Sequence, residues 1–238
     1  MDAARNQVSY SSGPTTGSGL FYRPQAAGPL PAVLVLHTRG GLSSHEGDFG
    51  AWLAGQGYVA MAPDYFTPLQ VTSQTYDLDT FLVQYTDRVR EHLANGLECL
   101  KSLPFVDKNR IGVGGFSLGG YFGPVLASRE DVKGVVSYYG AYHGAPVSLV
   151  PTKYTWEDIV AQVRAPVLML HGESDTTAPV LRARATHGLL LERGKQAELV
   201  RYPGVEHEFN KVGRPFYNAT ATADAQAKTL AFLAARLK

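Results

Sequence analysis

The chain has 238 residues, 45% of them hydrophobic, enough to bury a core that needs no disulfide or metal staple. Its formal net charge is +1 and no run of Lys and Arg stands out, which excludes the electrostatic footprint of a nucleic-acid or anionic-membrane partner. Cys99 is the one cysteine and cannot close an internal disulfide, residues 1–14 are polar and do not read as a secretory signal, and no apolar run has the length of a bilayer span. A cytoplasmic chain folded as a single domain over residues 1–238 is the expectation.

In chain order, residues 8–11 and 19–22 are expected to form an antiparallel pair. Residues 32–36 (AVLVL) are a continuous apolar, β-rich run, as are residues 58–62, 111–116, 134–139 and 166–170. Runs without polar alternation fit strands covered on both faces, as in a parallel sheet. Residues 198–202 are more polar and suit a sheet edge. Between them, residues 79–102 carry Phe81, Leu82, Tyr85, Val89, Leu93, Leu97 and Leu100, a helical stripe. Leu230, Leu233 and Leu237 mark a C-terminal helix, with Asn218 placed to cap it. Alternating strands and helices predict a doubly wound α/β sheet, whose sites lie beyond the carboxyl ends of its strands.

After the strand expected at 111–116 stands Gly115-Phe116-Ser117-Leu118-Gly119-Gly120, a G-x-S-x-G pattern where strand turns into helix. A nucleophilic serine must project from a sharp, strained turn, and its neighbours two positions away must be small. The Leu118 amide, opening the helix, suits an oxyanion. This is the signature of the α/β-hydrolase fold, with Ser117 as nucleophile. A serine needs an oriented base, and the chain order on this fold is Ser, acid, His. Asp175, in the loop after residues 166–170, is the preferred acid, lying just before residues 176–179, which look like a helix start; Glu173, two residues earlier, is its rival. Among seven histidines, His207 alone follows the last strand and is the expected base. His37 and His171 each end a strand as hydrogen-bonded structural residues, His92 lies in a helix, and His45 and His187 lie near helix starts or on helical faces. The loop His37-Thr38-Arg39-Gly40-Gly41 is expected to give the second oxyanion donor, Arg39 N–H first and Thr38 N–H second. Tyr65, Phe66, Tyr142, Trp156 and Phe216 are expected to wall the substrate pocket, with His143 in reach; for Trp156 a place in the core beneath the loops is the competing reading. Cys99, flanked by apolar residues in a helix, reads as a small buried hydrophobe. No His or Cys pair has metal-ligand spacing, and no phosphate-loop Lys-Ser/Thr follows the glycines.

These residues resemble the dienelactone hydrolase family. The similarity covers nearly the whole chain: VLVLHTRGG, AWLAGQGYVAMAPDYF, GFSLGG, VVSYYGAY, APVLMLHGESD and YPGVEHEF. The resemblance implies a mostly parallel sheet of about eight strands without a large lid, hydrolysis through an acyl-enzyme, and no cofactor. Two departures stand out. Members proper carry a cysteine where this chain has Ser117, and a glutamate where it has Thr38. The family's basic residues hold a lactone carboxylate; Lys211 falls at the position of one, while no Lys or Arg in residues 65–85 supplies the other. The expected activity is hydrolysis of small carboxylic esters, lactones among the candidates. A peptidase or acyl-peptide hydrolase is the alternative enzyme, and a non-catalytic small-molecule receptor the alternative class.

Overall fold

The computed structural model describes residues 4–71, 77–142 and 155–238. Eight strands form one sheet: β1 (Ala4–Ser12), β2 (Thr15–Arg23), β3 (Leu30–Leu36), β4 (Val59–Asp64), β5 (Val106–Phe116), β6 (Val135–Tyr138), β7 (Val167–Gly172) and β8 (Ala197–Tyr202). Their order is β1-β2-β4-β3-β5-β6-β7-β8. β2 runs antiparallel to β1 and β4; every pairing from β4 to β8 is parallel. Among the described residues the strands are accompanied by a short 3-10 turn (Thr67–Leu69) and six α-helices: α1 (Ser44–Gly55), α2 (Leu78–Ser102), α3 (Leu118–Ala127), α4 (Trp156–Gln162), α5 (Val180–Glu192) and α6 (Ala219–Leu237).

The helices divide between the faces of the sheet. One core holds Leu93 and Leu97 of α2, Phe122 of α3, Val160 of α4 and Leu190 of α5 against Leu34, Val113 and Met169. The other holds Phe49 and Leu53 of α1 and Leu233 and Leu237 of α6 against Val35, Phe116 and Leu168. β3, β5, β6 and β7 are therefore covered twice, and that is why their apolar runs lack polar alternation. α3, buried along its whole length, is apolar on every side. Local chemistry sets the helix starts. Ser43 and Glu46 form a capping box on α1, Asp77 caps α2, and the Asn218 side chain accepts the Ala221 amide at the start of α6. The Ser12 hydroxyl pairs with His92 Nδ1 and ties the N-terminal hairpin to α2.

The eight-stranded α/β-hydrolase sheet agrees with the expectation, and β8 occupies an edge. Several boundaries differ. β5 starts five residues before Ile111, because the polar residues 107–110 extend the strand beyond the core. The antiparallel hairpin is longer at both ends than its apolar centre. Residues 176–179 precede the helix rather than open it, with Pro179 at the cap of α5.

Candidate active site

Ser117 stands between β5 and α3 with φ 51° and ψ −110°, a conformation a residue with a side chain adopts at a cost. The turn is closed by backbone bonds. Ser117 N–H donates to the Tyr138 carbonyl at 3.0 Å, and the Ser117 carbonyl accepts from Tyr121 at 3.1 Å and Ala141 at 2.9 Å. The flanking glycines are required by contact. A Cβ on Gly115 would lie 2.2 Å from the Gly119 carbonyl oxygen, and one on Gly119 would lie 2.3 Å from that of Leu36. Strand, helix and neighbouring strand thus meet backbone to backbone around the serine.

His207, in the loop after β8, faces it. His207 Nε2 lies 3.0 Å from Ser117 Oγ, and Nδ1 lies 2.6 Å from Asp175 Oδ2. A carboxylate only accepts, so Nδ1 carries the hydrogen and Nε2 accepts the serine hydroxyl's proton. Asp175 is buried after β7. Its Oδ1 accepts the amides of Thr177 at 2.9 Å and Ala178 at 2.7 Å. His171 Nε2 stands 3.4 Å from Oδ2 and donates to the Ala178 carbonyl at 2.7 Å. Burial by itself raises the Asp175 carboxyl. Hydrogen bonds from His171 and His207, the imidazole charge and the Ala178 amide outweigh it and hold the pKa at about 2. Asp175 is thus anionic at neutral pH. Glu173 turns to the surface and pairs with Arg201 at 2.7 Å and Arg184 at 3.3 Å.

The loop after β3 lies beside the elbow, since a Cβ on Gly119 would also come within 2.7 Å of the His37 carbonyl oxygen. Within it, Thr38 N–H donates to Glu46 Oε1 at 3.4 Å, Gly40 N–H to Thr38 Oγ1 at 3.0 Å and Gly41 N–H to the Thr38 carbonyl at 3.1 Å. The Thr38 amide is turned to Glu46 and away from an oxyanion role.

The aromatic wall expected around the substrate is corrected at Tyr65 and Tyr142, and at Trp156 the competing core reading holds. Tyr65 and Tyr142 are 0% exposed and Trp156 is 3% exposed. Their polar tips end inside the protein: Tyr65 hydroxyl on the His37 carbonyl at 2.6 Å, Tyr142 hydroxyl on Ser137 Oγ at 2.6 Å, and Trp156 Nε1 on Thr186 Oγ1 at 3.0 Å. A buried ring whose hydroxyl or N–H is already bonded is core, not pocket lining. Phe66 is also buried, its ring edge-on to His37 and packed on Phe81. Thr38 is buried in its loop, while Phe216 stays 50% exposed. His143 lies outside the described residues. Lys211 reaches Glu208 at 3.4 Å and lines a cavity of about 230 Å³ with His45, Phe49, Trp52 and Asn210.

Tyr139 is a contributor the sequence reading passed over. It follows β6 with φ 38°, is fully buried, and sets its ring 4.8 Å from that of His207 at 62°. Its hydroxyl donates to Asn210 Oδ1 at 2.8 Å. The signal lay in its position at the carboxyl end of an apolar strand, the rim where site residues gather. Among the described residues no three His, Cys, Asp or Glu side chains gather as a metal ion needs. No helix of the described residues is long and apolar enough to cross a membrane.

A family model decides the affiliation: the dienelactone hydrolase family matches residues 18–237. The chain belongs to the dienelactone hydrolase family. It is a hydrolase that acts on ester bonds. Among the relatives, the "Putative carboxymethylenebutenolidase" of Synechocystis sp. is 29% identical over 231 residues, 93% of this chain and 92% of that one. The "Probable 2-oxo-3-(5-oxofuran-2-ylidene)propanoate lactonase" of Bradyrhizobium sp. is 27% identical over 220 residues, 89% of this chain and 86% of that one. The solved structure of a "Putative Dienelactone Hydrolase" from Klebsiella pneumoniae superposes with TM-score 0.80 at 29% identity, covering 97% of this chain and 99% of that one.

Proposed function

We propose that this dienelactone hydrolase family member cleaves small carboxylic esters, lactones among them, through an acyl-enzyme on Ser117. The observation that carries the reading is the continuous bond path Ser117 Oγ, His207, Asp175, at 3.0 and 2.6 Å. The Ser117 hydroxyl attacks the ester carbonyl while His207 Nε2 takes its proton. Asp175 holds the imidazole with Nε2 toward the serine and stabilises the imidazolium that forms. The collapsing intermediate expels the alcohol, which takes the proton back from His207. Water, deprotonated by the same imidazole, then attacks the acyl group and frees the acid. The Leu118 and Arg39 amides are the proposed donors to the oxyanion.

Serine in place of the family's cysteine agrees with this assignment, because a hydroxyl needs the base to remove its proton during attack. The lactonase and carboxymethylenebutenolidase names of the relatives support including cyclic esters. The test is a panel of p-nitrophenyl esters of graded acyl length, with a five-membered lactone alongside, on wild type and Ser117→Ala. Turnover of the short esters that Ser117→Ala loses almost entirely is expected. Ester turnover in Ser117→Ala close to wild type would refute the mechanism.

A further inference from the structure

His37 ends β3 and plays no part in the proposed proton path, yet it is completely buried with both ring nitrogens bonded. Nδ1 lies 2.7 Å from the Thr38 carbonyl oxygen, which only accepts, so Nδ1 carries the hydrogen. Nε2 lies 3.4 Å from the Tyr65 amide, which only donates, so Nε2 is bare. Burial pushes the imidazole pKa down to about 4, in keeping with a neutral ring. Tyr65 completes the setting: its ring stacks on the imidazole at 3.6 Å and 6°, and its hydroxyl holds the His37 carbonyl at 2.6 Å. An imidazole with each nitrogen on a backbone group is a brace.

What it braces is one peptide plane. In a trans peptide the carbonyl and the following N–H point in opposite directions. The Thr38 carbonyl is held from one side by His37 Nδ1 and by the Gly41 amide at 3.1 Å. The Arg39 N–H therefore has its direction set by the atoms that bind the Thr38 oxygen. The two peptides that lead into this plane pack on the first turn of α3, because the Leu36 and His37 carbonyl oxygens would both touch a Cβ on Gly119, at 2.3 and 2.7 Å. Leu118, whose amide is the other proposed donor, opens that same turn.

We propose that His37 is a positioning residue that, through its Nδ1–H bond to the Thr38 carbonyl, holds the Arg39 amide toward the developing oxyanion on Ser117. The inference rests on the acyl-enzyme reading above. An oxyanion donor fixed before the reaction needs no reorganisation as charge develops, so its loss lowers kcat more than it raises KM. Tyr65 serves the site by holding His37, without contact to substrate.

The test compares His37→Phe, which keeps a ring for Tyr65 to stack on and loses both nitrogens, with His37→Asn, whose amide nitrogen stands where Nδ1 did. Hydrolysis of p-nitrophenyl acetate and inhibition by phenylboronic acid are measured on folded protein. Loss of one oxyanion donor costs about 10²–10³-fold in kcat, so His37→Phe is expected to lose about 10²-fold with KM little changed. Phenylboronic acid, which presents a tetrahedral oxygen to the same donors, should bind more weakly by a similar factor, and His37→Asn should recover most of both losses. Near-wild-type kcat in His37→Phe, or equal losses in Phe and Asn, overturns the proposal. A second measurement needs no variant: ¹⁵N spectra of the wild-type histidines should show His37 protonated at Nδ1 alone, and an Nε2–H signal contradicts the brace. Ser117→Ala is run in parallel. If it keeps turnover, the acyl-enzyme reading fails; if it is inactive while His37→Phe is not, only the role of His37 fails.

Discussion

Asp175 is a carboxylate bound from every side it presents: two amides on Oδ1, the imidazole of His207 on Oδ2 and His171 alongside. Replacing it by Asn leaves an acceptor for the Thr177 and Ala178 amides, so the loop keeps its shape. The amide group beside Nδ1, however, no longer selects the tautomer that leaves Nε2 bare. Asp175→Asn is predicted to keep the wild-type melting temperature within a few degrees and to lose about 10⁴-fold in kcat toward p-nitrophenyl acetate. A loss below about tenfold would remove Asp175 from the proposed mechanism. The members of this path were legible in the sequence because Ser117 and Asp175 follow apolar runs, His207 alone among the histidines follows the last strand, and the order Ser, acid, His is particular to the fold. The sequence favours Asp175 over its rival Glu173, and the loop turns Glu173 to Arg201 and Arg184. Tyr65 and Tyr142 depart from the expected wall, and Trp156 takes its competing place in the core, for a definite reason. A ring in a loop has one appearance in the sequence whether it faces a cleft or the core, and the partner of its polar tip, such as the His37 carbonyl, comes from a distant segment.

At the scale of elements, the site depends on β3, β5 and α3 approaching closely. Gly119 is where a helix backbone touches the carbonyl end of β3. Gly119→Ala would set a methyl 2.3 Å from the Leu36 oxygen and 2.6 Å from its carbon, both backbone atoms that cannot swing aside. The substitution is predicted to cost about 1–3 kcal/mol, read as a lower urea midpoint at unchanged m. It should also depress kcat beyond that of an equally destabilised surface variant, because the loop carrying Arg39 must move. An Ala variant with wild-type midpoint and rate would show that the approach is looser than drawn. The strands themselves were readable: continuous apolar runs marked β3 to β7, and the more polar β8 was placed at an edge. The start of β5 was not, since residues 107–110 are polar and fall where the register jumps from Val106 opposite Leu30 to Ile111 opposite Ala32, a bulge their own pattern does not announce.

For the molecule as a whole, buried histidines set the response to acid. His37 and His45 both have pKa values pushed down to about 4, burial being the first cause in each and the Lys211 charge adding to it at His45. In the unfolded chain both return to an ordinary 6.5. Between pH 6.5 and about 4 the unfolded state binds protons that the folded state refuses, so stability falls as the pH drops through that window. Asp175 acts lower: its contribution is complete above the ordinary 3.8 and is lost as the pH falls toward 2. The melting temperature is therefore predicted to be level around pH 7, to fall between pH 6.5 and 4 and to fall again below. His45→Gln should flatten part of the first fall; a melting temperature constant from pH 7 to 4 would contradict the buried neutral state. The central claim, however, is covalent. Rapid mixing with p-nitrophenyl acetate, acid quenching and peptide mass analysis reads it most directly. A burst of p-nitrophenol of about one equivalent per chain is expected, with an acetyl group on Ser117. Steady release without a burst, together with no acetyl on Ser117 while Ser117→Ala still hydrolyses the ester, would contradict it.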